Sequence, residues 1–184
     1  MTLICDFAKL ASPRRCGMPD EQDGELHVRG LYEALIDCWN RRSAEDFAAC
    51  FAEQGSIVGF DGSQVNGASN IAAHLAPIFA DHPTPTYVTL VEGVRTVAPG
   101  AVILRAVSGL LPPGQDDIVP ELNAVQTLVA ARNAESWQVE LFQNTPAQFH
   151  GQPELAGRMT ADLREALRNR RLEIRRAASG ATRA

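Results

Sequence analysis

Leu122-Asn-Ala-Val-Gln-Thr-Leu-Val-Ala-Ala-Arg132, Asn133-Ala-Glu135 and Ser136-Trp-Gln-Val-Glu-Leu-Phe-Gln-Asn-Thr145 decide the fold class of this chain. Two apolar-rich runs on either side of a short Asn-containing turn read as a β-hairpin. Alternation places Leu122, Ala124, Gln126, Leu128 and Ala130 on one face, with Asn123, Val125, Thr127 and Val129 on the other. Upstream, residues 86–97 and 101–111 have the same strand character and meet at Pro99-Gly100. A longer loop over residues 112–121 leads into the hairpin. Neighbouring strands with short connections predict an antiparallel sheet.

Ahead of the strands the apolar period lengthens. Leu31, Leu35, Cys38 and Trp39 recur at helical spacing across residues 25–42. Ser43 caps a second helix, with Asp46 three residues on and Phe47, Cys50 and Phe51 on its buried side. Ile57-Val-Gly-Phe60 reads as a short strand, and Asp61-Gly-Ser63 is turn chemistry before a brief return strand. A third helix follows Asn66-Gly67, buries Ile71, Leu75, Ile78 and Phe79, and stops at Asp81-His-Pro-Thr-Pro85. Beyond the sheet, Leu155, Met159, Leu163, Leu167 and Ile174 predict a last helix whose far end, Arg170-Arg-Leu-Glu-Ile-Arg-Arg176, is cationic. The fold class is therefore α+β: three N-terminal helices packed on a curved antiparallel sheet, a pocket at its open end, and a C-terminal helix. Residues 1–24 read as a flexible arm, 25–154 as the domain, and 155–184 as a basic helix and tail.

The 184 residues are 45% hydrophobic and 21% charged, the composition of one folded domain. No apolar run approaches the ~20 residues of a membrane span, and Met1-Thr-Leu-Ile-Cys-Asp-Phe7 lacks the basic start of a secretory signal, so the expected location is cytoplasmic. Cysteines at 5, 16, 38 and 50 have no metal-site spacing and no disulfide framework. The net charge of −5 conceals a cationic end: residues 158–184 carry eight arginines against Asp162, Glu165 and Glu173. The acidic remainder argues against nucleic-acid binding. No Trp or Phe lies on the apolar side of the last helix, which argues against membrane binding. No G-x-G-x-x-G follows a strand, and neither a cofactor nor a metal is expected.

Residues 123–132, and 137–154 running through Pro146-Ala-Gln-Phe-His-Gly-Gln-Pro-Glu154, resemble the SgcJ/EcaC family of SnoaL-like proteins. Val58-Gly-Phe-Asp-Gly62 and the helix opening at Gly67 extend the resemblance over about residues 28–154. It implies the cone-shaped fold of the nuclear-transport-factor-2-like superfamily, a homodimer, a pocket between the sheet and the first helix, and a place in bacterial natural-product pathways. Related pockets supply two mechanisms for comparison. Ketosteroid isomerases use a carboxylate base, a tyrosine donor and a protonated carboxylic acid; the equivalent positions here are Gly59, Leu35 and Gln126, so all three groups are replaced. Limonene-type epoxide hydrolases place Arg-x-Asp on a strand, and Arg105-Ala-Val107 keeps only the arginine.

Candidate residues follow from chemistry and position. Asp61 reads either as an Asx-turn residue or as a desolvated pocket carboxylate with a raised pKa suited to a general base. His74, between Ile71, Leu75 and Ile78, reads as inward-facing, either a core histidine or a proton shuttle. Gln126, Gln143 and Asn144 are polar groups in apolar strands and need partners from a ligand, a neighbouring strand or a second subunit. Trp39, Phe60 and Tyr32 either line an apolar ligand cavity or belong to the core. Arg105, unless it faces solvent, calls for a carboxylate, with Glu92 or Glu140 on nearby strands, and reads either as a ligand contact or as a plain cross-strand pair on the exposed or dimer face; His150 covers the pocket or joins an interface. The expected partners are a small hydrophobic metabolite and a second copy of the chain. Two functions remain open: proton-transfer chemistry such as isomerisation or cyclisation of a polyketide-like metabolite, and ligand carriage or an accessory role without catalysis.

Overall fold

A computed structural model describes residues 19–134 and 136–181. The element order is α1 (Pro19–Asn40), α2 (Ala44–Ala49), β1 (Phe51–Val58), β2 (Gln64–Asn66), α3 (Ala68–Asp81), β3 (Thr86–Ala98), β4 (Ala101–Leu111), β5 (Val119–Arg132), β6 (Trp137–Pro146) and α4 (Pro153–Ala181). The first helix thus begins inside the segment read as an arm; residues 1–18 of that arm, and 182–184 of the tail, lie outside the described residues.

Hairpins force β3 through β6 to alternate in direction, and their registers pair Gly93 with Arg105, Arg105 with Thr127 and Thr127 with Gln143. The sheet is nevertheless mixed. Its order is β2-β1-β6-β5-β4-β3, and β1 runs parallel to β6. No hairpin joins those two strands, so nothing in their connection imposes the antiparallel arrangement that the sequence predicts. The second helix is shorter than its apolar spacing suggests, because Phe51 opens β1 and pairs with Val139. Ser43 makes no side-chain bond to the helix backbone; its hydroxyl donates to Asp46 Oδ2 at 2.7 Å instead.

One face of the curved sheet carries α1–α3. Val28, Leu35, Phe47 and Ile71 pack there against Val102, Leu104, Leu128 and Phe142. Of the β5 residues placed on one face by alternation, Ala124, Gln126, Leu128 and Ala130 are buried and Leu122 is half-buried. The opposite face is covered at one end by α4, where Met159, Leu163 and Leu167 close over Val88 and Ile118. Asn123 is buried beneath that helix and donates Nδ2 to Thr160 Oγ1 at 2.8 Å. Arg164 forks onto Asp117, with Nη2 to Oδ2 at 2.6 Å, and holds that carboxyl below the ordinary carboxylate range. The far end of α4 leaves the sheet: Leu172 and Ile174 are 49% and 60% exposed, so Ile174 does not continue the buried stripe. No described helix is long and apolar enough to cross a membrane.

Candidate functional site

Four of the residues singled out by sequence share one cavity. Its volume is about 250 Å³, and it opens where α3 meets the β1–β2 turn, with Trp39 at the end of α1 as its inner wall. Ile57, Phe60, Val65, Leu75 and Ile78 give it an apolar lining, and Asp61, Ser63 and His74 supply the polar groups.

The carboxylate belongs to a local turn. Ser63 donates both its backbone N–H, at 3.0 Å, and its hydroxyl, at 2.7 Å, to Asp61 Oδ1. Gly59 makes room for this turn, since a Cβ there would stand 2.8 Å from Ser63 Oγ and 2.9 Å from Asp61 Oδ1. Gly62 takes the positive φ of 84° that the reversal requires. The glycine at the position of an isomerase base and the aspartate two residues later therefore depend on one another. The two Ser63 bonds hold the Asp61 carboxyl below its ordinary range. This corrects the expectation of a desolvated carboxylate with a raised pKa: the group is exposed and ionised at neutral pH.

His74 also differs from its reading. It is exposed and stands at the cavity mouth rather than aimed at the sheet, because Ile71, Leu75 and Phe79 take the buried face of α3. Trp39 is fixed: its Nε1 donates to the Pro85 carbonyl at 3.0 Å, and its ring lies edge-on to Phe79 at 5.2 Å and tilted against Tyr87 at 5.1 Å.

The space between α1 and the sheet, where a ligand pocket was expected, is filled by a buried polar chain. The Tyr32 hydroxyl donates to Gln126 Oε1 at 2.6 Å, Gln126 Nε2 to Asn144 Oδ1 at 3.1 Å, and Asn144 Nδ2 to the Tyr87 hydroxyl at 3.0 Å. Tyr32, Gln126 and Asn144 are thus partnered within the core, and of the three Tyr32 also borders a groove between α1 and α4. Burial pushes both phenols above their usual range. Tyr87 has no place in the sequence reading, and its position on the inward face of β3 is the one signal that could have found it.

The remaining candidates lie elsewhere. Gln143 donates to Thr145 Oγ1 at 3.1 Å and does not line the cavity, although its strand partner Val58 lies between the lining residues Ile57 and Gly59. Arg105 is exposed on the outer sheet face beside Arg95, and neither Glu92 nor Glu140 bonds to it. His150 is exposed in the turn after β6 and lines no part of the cavity. Among the described residues, no group of three His, Cys, Asp or Glu side chains is placed to hold a metal ion.

Neither a protein-family model nor a curated protein sequence matches the chain. Solved structures do. A domain of unknown function with a cystatin-like fold from Nostoc punctiforme is 26% identical, with a TM-score of 0.65 over 83% of this chain and 99% of that one. An NTF-2-like protein of unknown function from Shewanella oneidensis is 16% identical, with a TM-score of 0.55 over 70% and 99%. A ketosteroid isomerase-like protein from Erwinia carotovora atroseptica is 13% identical, with a TM-score of 0.55 over 68% and 98%. The fold is that of the nuclear-transport-factor-2-like proteins.

Proposed function

We propose that this protein is a SnoaL-like member of SgcJ/EcaC type that takes a small apolar metabolite into the cavity at α3 and moves a proton on it. Isomerisation or cyclisation of a polyketide-like intermediate is the reaction class. The observation that carries this reading is the meeting of one carboxylate, Asp61, and one imidazole, His74, at the mouth of an otherwise apolar cavity. An imidazole is the side chain suited to exchange protons near neutral pH, so His74 is the acceptor that returns the proton to a second carbon. Asp61, kept ionised by Ser63, stabilises the imidazolium formed in between. Trp39, Phe60 and Leu75 hold the body of the ligand, and a cavity of about 250 Å³ restricts it to one or two rings. A homodimer joined through the outer sheet face would cover the exposed Val97 and Val125.

A carrier without catalysis is the second reading, favoured by the closed core where isomerases place their catalytic groups. 3-Cyclohexen-1-one separates the two, because its conversion to the conjugated enone needs only removal of a proton beside the carbonyl and its return at the far alkene carbon. Turnover is followed by ultraviolet absorbance. An enzyme of this kind loses about 10²-fold in rate in His74→Ala and a smaller factor in Asp61→Asn. A carrier binds the probe and leaves it unconverted, and absence of both binding and turnover contradicts both readings.

A further inference from the structure

Among the described residues the mixed sheet has a long edge strand without a further strand beside it, β3, opposite the three-residue β2. Long edges invite pairing, and folded proteins close them with side chains, bulges or covering elements. Both ends of this edge are closed by α1. Asn40 donates Nδ2 to the Tyr87 carbonyl at 3.2 Å and accepts from the Tyr87 N–H at 2.8 Å, while Glu25 Oε1 accepts from the Thr96 N–H at 2.9 Å. Since both backbone groups of Tyr87 point away from β4, alternation along the strand sends those of Thr89 and Val91 the same way. Among the described residues no side chain bonds to the outward N–H or C=O of Thr89 or Val91.

That stretch forms the floor of a groove of about 730 Å³ between α1 and α4. Arg29 and Glu33 stand on the α1 wall, Arg170 and Glu173 on the α4 wall. None of the four makes an ion pair among the described residues. Arg170 Nη1 reaches the Tyr87 carbonyl from α4, at 3.5 Å, as Asn40 does from α1. The edge thus runs between two helices, each of which sends one side chain to the Tyr87 carbonyl.

We infer that residues 89–91 of β3 are a docking site for an extended segment of a partner polypeptide, which adds to the sheet as a further strand. Backbone donors and acceptors at this spacing are complemented by another extended backbone. Side chains of such a segment alternate between the two walls, and each wall offers one cation and one anion, so the matching segment carries both acidic and basic residues.

The test uses the full chain and a phage-displayed library of random nonapeptides as probe. Enriched peptides carry residues of both signs and slow amide hydrogen exchange at Thr89 and Val91 at least tenfold, leaving Val88 and Leu90, which already bond to β4, unchanged. Val91→Pro removes one outward N–H without touching the β4 ladder and weakens binding about tenfold. Asn169→Trp, an exposed position on the α4 wall, obstructs the groove without altering a buried contact and abolishes binding. Failure of any peptide to enrich, or binding that survives both variants, overturns the inference.

Discussion

Gln126 shows at the scale of one residue what alternation along a strand can and cannot tell. Its side of β5 follows from the period-two pattern, and the need of a buried amide for partners follows from desolvation. The identity of those partners does not, because Tyr32, Asn144 and Tyr87 come from three other elements. Gln126→Ala leaves the Tyr32 hydroxyl and the Asn144 carbonyl short of a bond and opens a void, so it costs about 2–4 kcal/mol in urea unfolding. Binding at the α3 cavity stays unchanged in that variant. Asp61 was more legible, since an aspartate two residues before a serine carries its own turn signal. Gly59→Ala crowds that turn. Its expected effect is a rise of the Asp61 carboxyl toward the ordinary range, read by NMR titration.

Elements were read well where local pattern and tertiary pairing agree. The strands at β3 to β6 and the start of α3 fall within a few residues of their predicted places, because hairpin turns and an amphipathic helix are local devices. The boundary at Cys50-Phe51 departs from the sequence pattern, since Phe51 fits a helical stripe while its pairing with β6 is set by residues far along the chain. The closure of β3 by α1 is equally invisible in sequence. Asn40→Ala removes both bonds to the Tyr87 backbone, costs about 1–2 kcal/mol and speeds exchange of the Tyr87 amide. The contact of α4 with the loop before β5 has a pH signature. Asp117 has a lowered carboxyl, so the stability it contributes is present above the ordinary carboxylate pKa and is lost as pH falls through the lowered value. Asp117→Asn removes that part of the acid dependence, as acid-titrated unfolding of the two proteins will show.

The whole molecule couples a closed polar core to a small cavity at its side. Tyr32 and Tyr87 are held neutral by burial, so the folded state binds their protons more tightly than the unfolded chain does. Their contribution is therefore complete below the ordinary phenol pKa of about 10 and is lost as pH rises beyond it. Thermal melts between pH 9 and 11 should show this fall, and Tyr87→Phe should reduce its slope. The fold class was legible because helices and strands are segregated along the chain. The place of the cavity was not, because whether the interior stays open depends on how side chains from distant elements fill it. The central claim is that ligands enter at α3 and not beneath α1. An amide and indole NMR titration of the labelled full chain with 3-cyclohexen-1-one tests it most directly. Saturable shifts of the Trp39 indole N–H and of Phe60, Val65 and Leu75 are the predicted result. Shifts centred on the side-chain amides of Gln126 and Asn144, or none that saturate, would contradict the account.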